Sequence, residues 1–158
     1  MRKVMLLLVV FGFVGLIWAQ DTSPTMGTWK LNIEKSKLPP TAANLKEAIV
    51  VFREIDANTV EGRSTQTTKD GKTTTAKFTT PKSGGIQTYQ EGGPANGTST
   101  ISVLVDPHKF YNLTLQNGKQ VQLTPISFDK DFKTYTMTYK GIDPQGKPYE
   151  FFVLFEKQ

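Results

Sequence analysis

Three glycine-lysine turns constrain the fold of this chain more than any other feature. They are Asp70-Gly71-Lys72, Asn117-Gly118-Lys119 and Gln145-Gly146-Lys147. Asp-Gly and Asn-Gly readily adopt the positive φ angles of two-residue hairpin turns, so the first two sequences predict tight antiparallel hairpins. The third sequence predicts a looser turn, because it lies between Pro144 and Pro148.

Segments of strand length and strand composition surround these turns. The candidate strands are residues 45–55, 59–67, 73–80, 98–106, 110–116, 119–128, 133–142 and 148–156. In the first of them a helix is the alternative, but Val50, Val51 and Phe52 in succession favour a strand. Short strands at such even spacing are typical of an antiparallel barrel or sandwich. We therefore predict an all-β fold, an antiparallel up-and-down β-barrel of about 8 to 10 strands.

Alternation within these strands predicts one apolar and one polar sheet face. The apolar positions are Ile101, Val103, Val105, Tyr111, Leu113, Leu115, Val121, Leu123, Tyr135, Met137 and Tyr139. Because the buried face of a sheet is ordinarily apolar, we expect these side chains inside and the alternating threonines in solvent. The alternation slips by one residue at Pro125, which predicts a β-bulge or bend there.

The first 19 residues have the organisation of a secretory signal peptide. Arg2 and Lys3 precede an apolar run, residues 4–17, that is shorter than the roughly 20 residues of a membrane-spanning helix. Ala19 supplies the small residue that signal peptidase requires, although Ile17 leaves an uncleaved anchor as the alternative. We predict a signal peptide over residues 1–19, cleavage after Ala19 and one β-barrel domain over residues 20–158. The predicted location is secreted or periplasmic, without stable membrane insertion after cleavage.

Charge and composition exclude several classes of function. The chain has 19 basic and 14 acidic side chains, for a net charge of +5, and no cysteine. The basic residues are scattered, whereas binding to a phosphate backbone needs a clustered positive face, so we predict no nucleic-acid partner. The absence of cysteine excludes thiol catalysis and thiolate metal sites.

Side chains that could support catalysis or hold a metal are few. The chain has one histidine, His108, and no serine stands in the context of a nucleophile elbow. Asp129-Lys130-Asp131 lacks the spaced oxygen ligands of a calcium loop. We therefore predict no enzymatic activity, no catalytic residue, no metal site and no cofactor. An enzyme would need a site at His108 or a pair of converging carboxylates.

Large rings on strands with a polar opposite face favour binding over catalysis. A small barrel can fill its interior with such rings or leave room for one small ligand. We predict a pocket for a small apolar molecule. Its candidate residues are Phe78, Tyr89, Tyr111, Tyr139 and Phe151. The alternative is that these rings pack solidly against one another.

Three segments carry a resemblance to a known family. They are GTWKLNIEKSK at residues 27–37, TPKSGGIQTYQEGGP at 80–94 and KGIDPQGKPYEFFVLFEKQ at 140–158. Together they resemble the lipocalin-like proteins, and more closely a group of small exported bacterial β-barrel proteins that share this label. The resemblance covers nearly the whole chain after residue 19. It implies a barrel with a pocket for a small molecule, and it implies no particular activity.

The resemblance also implies a role for one tryptophan. In lipocalins the tryptophan of a glycine-x-tryptophan motif closes one end of the barrel, and an arginine from a late strand covers it. Trp29 matches this tryptophan, but the last arginine of the chain is Arg63, so Lys140 or Lys157 would take the covering position. Trp29 is thus expected to be structural and not a ligand contact.

Two functions follow as hypotheses. The first is an exported lipocalin-like barrel that binds or carries a small apolar molecule. The alternative is a non-enzymatic envelope or extracellular interaction protein with a solidly packed barrel. Its working surface would be the glycine-rich loops at residues 82–85 and 91–97 or the threonine face.

Overall fold

The computed structural model describes residues 23–142 and 145–158. The predicted signal peptide at residues 1–19 and its cleavage site therefore lie outside the described residues. Within the described residues, no helix has the length and apolar character needed to cross a membrane.

Eleven β-strands and one short 3-10 helix, Pro40–Ala42, make up the regular structure of the described chain. The strands are β1 (Gly27–Lys37), β2 (Leu45–Glu54), β3 (Thr59–Thr68), β4 (Thr73–Pro81), β5 (Gly85–Ile86), β6 (Thr88–Glu91), β7 (Thr98–Asp106), β8 (Lys109–Gln116), β9 (Lys119–Phe128), β10 (Thr134–Ile142) and β11 (Pro148–Lys157). The all-β prediction is confirmed. The β-branched residues Val50 and Val51 lie in a strand, β2, and not in the alternative helix.

All eleven strands belong to one antiparallel sheet that curls into a nearly closed barrel. The strand order is β5-β7-β8-β9-β10-β11-β1-β2-β3-β4-β6, so neighbours in the sheet are mostly neighbours in the chain. The first and last long strands lie side by side, with Leu31 of β1 opposite Phe155 of β11. The two edge strands, β5 and β6, are separated in the chain by Gln87 alone, so the edges of the sheet meet there.

The predicted number of strands, about 8 to 10, was wrong because one segment divides in two. Gly85 and Ile86 pair with β7, whereas Tyr89 pairs with Phe78 of β4. Gly84 and Gly85 have φ angles of 89° and 141°, which side chains with a Cβ rarely adopt, and they allow the chain to turn into this segment. The sequence marks this place with its glycine-rich connections, but it does not show that the segment between them serves both edges.

The tight turns form where the sequence predicts them. Asn117 and Gly118 have φ angles of 49° and 78°, and they connect the directly paired residues Gln116 and Lys119. Positive φ at both central residues is the geometry of a type I′ hairpin, whose twist matches that of the flanking strands. The hairpin at Asp70-Gly71 has a longer connection, because its last directly paired residues are Thr67 and Thr73, and within it Gly71 has a φ angle of 85°.

The tightly packed core lies at the end of the barrel where β1 begins. Its buried members are Trp29, Leu31, Ala48, Val50, Ile126, Phe128, Tyr135, Val153 and Phe155. The Trp29 side chain is 0% exposed, and its ring meets Phe128 and Tyr135 edge-on at centroid distances of 5.5 and 4.9 Å. The indole Nε1 donates a hydrogen bond to the carbonyl oxygen of Thr25 at 3.1 Å. Trp29 thus closes this end of the barrel beneath the segment that leads into β1.

A lysine from the last strand covers the tryptophan. The Nζ of Lys157 lies 5.3 Å from the centroid of the Trp29 ring, within the range of a cation–π interaction. The same Nζ donates a hydrogen bond to the carbonyl oxygen of Pro24 at 2.7 Å. Lys140, the other candidate, forms an ion pair with Glu150 at 3.3 Å instead. Lys157 therefore links the tryptophan, the last strand and the lead-in segment.

We expect Trp29→Ala to lower the free energy of unfolding by about 3–5 kcal/mol, because it removes the largest buried side chain and leaves a cavity. The measurement is urea denaturation followed by circular dichroism. Ile142→Ala is the control, since Ile142 is 66% exposed and its replacement is expected to cost less than about 0.5 kcal/mol. Equal losses in the two variants would contradict the role assigned to Trp29.

Candidate functional site

The barrel interior is not filled, because a cavity of about 630 Å³ lies inside it. Sites for small molecules typically have volumes of about 300–1,000 Å³. Side chains from nine of the strands and from the lead-in segment line the cavity. The lining residues differ from one region of the interior to another, and each region can be traced through the register of the strands.

The region nearest Trp29 is apolar. Phe128 and Tyr135 separate the cavity from the tryptophan and line it on their other side. Phe110 and Ile126 are register partners on β8 and β9, and Met137 pairs with Ile126 from β10. Since adjacent strands place register partners on one face, these side chains form a continuous apolar floor.

Three rings on β2, β4 and β6 line one side of the cavity, and we call Phe52, Phe78 and Tyr89 the aromatic row. Phe52 pairs with Gly62, Gly62 with Phe78 and Phe78 with Tyr89. The ring centroids lie 6.5 Å apart for Phe52 and Phe78, and 5.5 Å apart for Phe78 and Tyr89. A Cβ atom on Gly62 would lie 2.3 Å from the ring of Phe78. The glycine is therefore what lets Phe78 lie flat over the backbone of β3.

Polar side chains line the cavity on β7, β8 and β9. We call this set the polar wall, and its members are Thr100, Ser102, Asn112, Thr114, Gln122 and Thr124. They form two adjacent rows of register partners, Ser102–Asn112–Thr124 and Thr100–Thr114–Gln122. Thr124 is 2% exposed, so a polar group is held deep in the interior. Buried polar groups are retained only where hydrogen bonds compensate their loss of water.

A chain of hydrogen bonds connects the aromatic row to the polar wall. The Tyr89 hydroxyl donates to Oε1 of Gln87 at 3.1 Å, and Nε2 of Gln87 donates to Oγ of Ser102 at 3.1 Å. The Ser102 hydroxyl donates in turn to Oδ1 of Asn112 at 2.8 Å. Gln87 is the residue between β5 and β6, and its side chain links Tyr89 on the edge strand β6 to Ser102 on β7.

The polar wall reverses the predicted faces of β7, β8 and β9. Val103 and Val121, predicted to lie inside, are 41% and 40% exposed on the outer face. The predicted slip at Pro125 is absent, because Tyr111 pairs with Pro125 and Asn112 with Thr124 in uninterrupted register. The shift in register occurs nearer the Asn-Gly turn, between Thr114 and Leu115.

For β10 the predicted orientation is confirmed. Tyr135, Met137 and Tyr139 all line the cavity.

The five predicted pocket residues have three different environments. Phe78, Tyr89 and Tyr139 line the cavity. Phe151 stacks on Tyr139 with centroids 4.7 Å apart, and it is not among the lining residues. Tyr111 lies on the other face of β8 from Phe110 and Asn112, so its predicted place in the pocket is corrected to the outer surface. A contact with a ligand stays a prediction for Phe78, Tyr89 and Tyr139.

Sequence reasoning missed Gln87 and the whole polar wall. One signal was present in β9, where Gln122, Thr124, Ile126 and Phe128 alternate without interruption. Following that alternation back from the apolar Phe128 would have placed Gln122 and Thr124 inside. The rule that apolar faces point inward favoured the opposite face of β9, with Val121 and Leu123 inside.

The cavity is electrically almost neutral. Burial, followed by the nearby Tyr89, raises the pKa of Tyr139 to about 12, and burial raises the pKa of Tyr135 well above its usual value. Both hydroxyls therefore stay protonated at physiological pH. Among the described lining residues the charged side chains are Glu54 and Lys82, and they pair with each other at 2.9 Å.

His108 and the buried carboxylate of Glu61 both have partners outside the cavity. His108 stacks on Phe132 with centroids 4.2 Å apart, and its Nδ1 lies 3.0 Å from the carbonyl oxygen of Asp129. Glu61 forms ion pairs with Arg53 and Lys77. Over residues 23–142 and 145–158, no three histidine or acidic side chains are grouped so as to hold a metal ion. The lack of enzymatic activity stays a prediction.

Comparison with known proteins gives one structural likeness. No protein-family model matches the chain, and no curated protein matches it. A solved structure described as "The Siderocalin Ex-FABP functions through dual ligand specificities" superposes with a TM-score of 0.40 and 10% sequence identity. The superposition covers 86% of this chain and 71% of that one. A match at this level does not establish a common fold, so the architecture rests on the strand order and register given above.

Proposed function

We propose that the protein is a lipocalin-like barrel that binds or carries a small molecule in its interior cavity. The observation that carries the proposal is the cavity of about 630 Å³, lined by an apolar floor, an aromatic row and a polar wall. A concave, mostly apolar site with a few convergent polar groups is the usual form of a small-molecule site.

The features at the closed end support the lipocalin-like part of the proposal. The Gly27-Thr28-Trp29 sequence opens β1, and Trp29 is fully buried at one end of an up-and-down meander. Lys157 reaches this tryptophan from the last strand, where lipocalins have an arginine. The alternative function, an interaction protein with a solidly packed barrel, does not fit an interior with this much empty volume.

Binding in the cavity predicts a difference between two tyrosines. We expect N-phenyl-1-naphthylamine, an uncharged fluorescent probe, to bind saturably to the folded protein. Tyr139→Leu removes a ring from the cavity wall and should weaken binding by about 5- to 30-fold, which corresponds to about 1–2 kcal/mol. Tyr111→Leu is the matched control, because this tyrosine lies on the outer face of β8 and its loss should leave affinity within about twofold.

Two results would contradict binding in the cavity. One is the absence of saturable binding by the probe to protein that circular dichroism shows to be folded. The other is a larger loss of affinity in Tyr111→Leu than in Tyr139→Leu, which would place the bound probe on the outer face of the barrel.

We also propose that the protein is exported, with residues 1–19 removed as a signal peptide. The support is the basic start at Arg2 and Lys3, the apolar run that follows and Ala19. Intact-mass spectrometry of protein recovered from outside the cytoplasm should show an N-terminus at Gln20. Recovery of the protein only in the cytoplasm, with Met1 retained, would overturn this proposal.

A further inference from the structure

The polar wall ends in a hydrogen-bond donor that the protein does not use. Along the chain from Tyr89 through Gln87 and Ser102, each side chain donates to the next, and Asn112 is the last acceptor. The Ser102 hydroxyl occupies Oδ1 of Asn112, which fixes the orientation of the amide. None of the side-chain hydrogen bonds found among the described residues uses the other amide atom, Nδ2. Asn112 lines the cavity, so this donor is available to an occupant.

An uncharged occupant fits this site better than an ion. Moving a charged group from water into a low-dielectric interior is costly unless an opposite charge receives it. Glu54 and Lys82, the charged lining side chains in the described chain, already neutralise each other at 2.9 Å. The hydroxyls of Tyr135 and Tyr139 stay protonated, because burial raises the pKa of Tyr139 to about 12 and that of Tyr135 well above its usual value.

The geometry of the barrel places an apolar surface across from Asn112. Counting β5 and β6 as one position, β2 lies five strands from β8 in either direction around the sheet. Phe52 of β2, the first ring of the aromatic row, thus lies on the opposite side of the cavity. Phe110 precedes Asn112 by two positions on β8 and belongs to the apolar floor. A molecule bound at Asn112 can therefore lay its apolar part against the floor and the aromatic row.

We propose that the cavity selects an uncharged, largely apolar molecule that carries a carbonyl oxygen, and that this oxygen accepts a hydrogen bond from Nδ2 of Asn112. The inference rests on the proposed function, since it names the ligand class of the same cavity. It narrows the expectation of an apolar ligand, because a pure hydrocarbon would leave the donor of Asn112 without a partner. A ligand that leaves this donor unpaired when it displaces water from the cavity binds more weakly than one that accepts its hydrogen bond.

Three compounds with one ring system test the ligand class. They are 2-acetylnaphthalene, 2-ethylnaphthalene and 2-naphthoate, which carry a neutral carbonyl, an apolar group of similar shape and a negative charge. Each compound competes with bound N-phenyl-1-naphthylamine. The measured quantity is the ratio of that compound's affinity for the variant to its affinity for the unmodified protein. We expect Asn112→Leu to weaken the ketone by about 3- to 10-fold, the range of one hydrogen bond, and to leave 2-ethylnaphthalene unchanged or tighter. In the unmodified protein the naphthoate should bind more weakly than the ketone.

Gln116→Leu is the matched control variant. Gln116 is an amide side chain on the same strand, β8, but it lies outside the cavity lining. Both of its polar atoms are already engaged, since Oε1 accepts from Thr98 and Nε2 donates to the carbonyl oxygen of Asn96. Its replacement should shift the three affinities equally. If Asn112→Leu does not fold, Asn112→Ala removes the same donor and carries the same expectation.

The outcomes separate this inference from the proposed function. If neither the probe nor the three naphthalenes bind, the proposed function fails and the ligand class fails with it. If the probe binds but Asn112→Leu changes the affinities for the ketone and the hydrocarbon by the same factor, the inference is overturned and the proposed function stands. Tighter binding of the naphthoate than of the ketone would also overturn the inference, because it would show that the cavity accepts a charge.

Discussion

The pairing of β1 with β11 is the constraint on which the rest of the structure depends. Leu31 lies opposite Phe155 in this pair, and Trp29 lies opposite Lys157. The contact brings the first and last strands together and turns a meander into a barrel with an inside. Because side chains alternate between the faces of a strand, closure assigns every second residue to the interior. The same pair delivers Lys157 to Trp29, so it also completes the closed end.

The barrel is closed but its interior is not filled. The interior therefore has a packed part, around Trp29, and an open part, the cavity. Around Trp29 the large side chains meet at ring distances of 4.9 to 5.5 Å and exclude space for a ligand. Further along the barrel axis the residues become polar and smaller, as in the row Ser102, Asn112 and Thr124, and the cavity opens. Threonine, serine and asparagine cost stability in a dry core unless they are hydrogen-bonded. Their position here is consistent with an interior shaped to receive a molecule.

Local sequence signals predicted the strands well and their faces poorly. Turn chemistry at Asn117-Gly118 and the β-branched run in β2 depend on a few neighbouring residues, so a single sequence reveals them. Which face of a strand is inside depends on the whole closed sheet. On β7 and β8, the rule that apolar faces are buried chose the side of Val103 and Tyr111, whereas register places Ser102 and Asn112 inside. The rule does not hold for a strand whose inner face lines a cavity with polar side chains. Gln87 was missed for a different reason, because it lies in the short connection between β5 and β6.

The orientation of β7 is the central claim, and the chain's lack of cysteine makes it directly measurable. Single-cysteine variants Ser102→Cys and Val103→Cys can be labelled under native conditions with a maleimide attached to a bulky polyethylene glycol. Ser102 is 9% exposed and Val103 is 41% exposed, so we expect rapid labelling at position 103 and labelling at least about tenfold slower at position 102. Rapid labelling at position 102 with protection at position 103 would show that the polar residues face solvent, which would contradict the cavity as described.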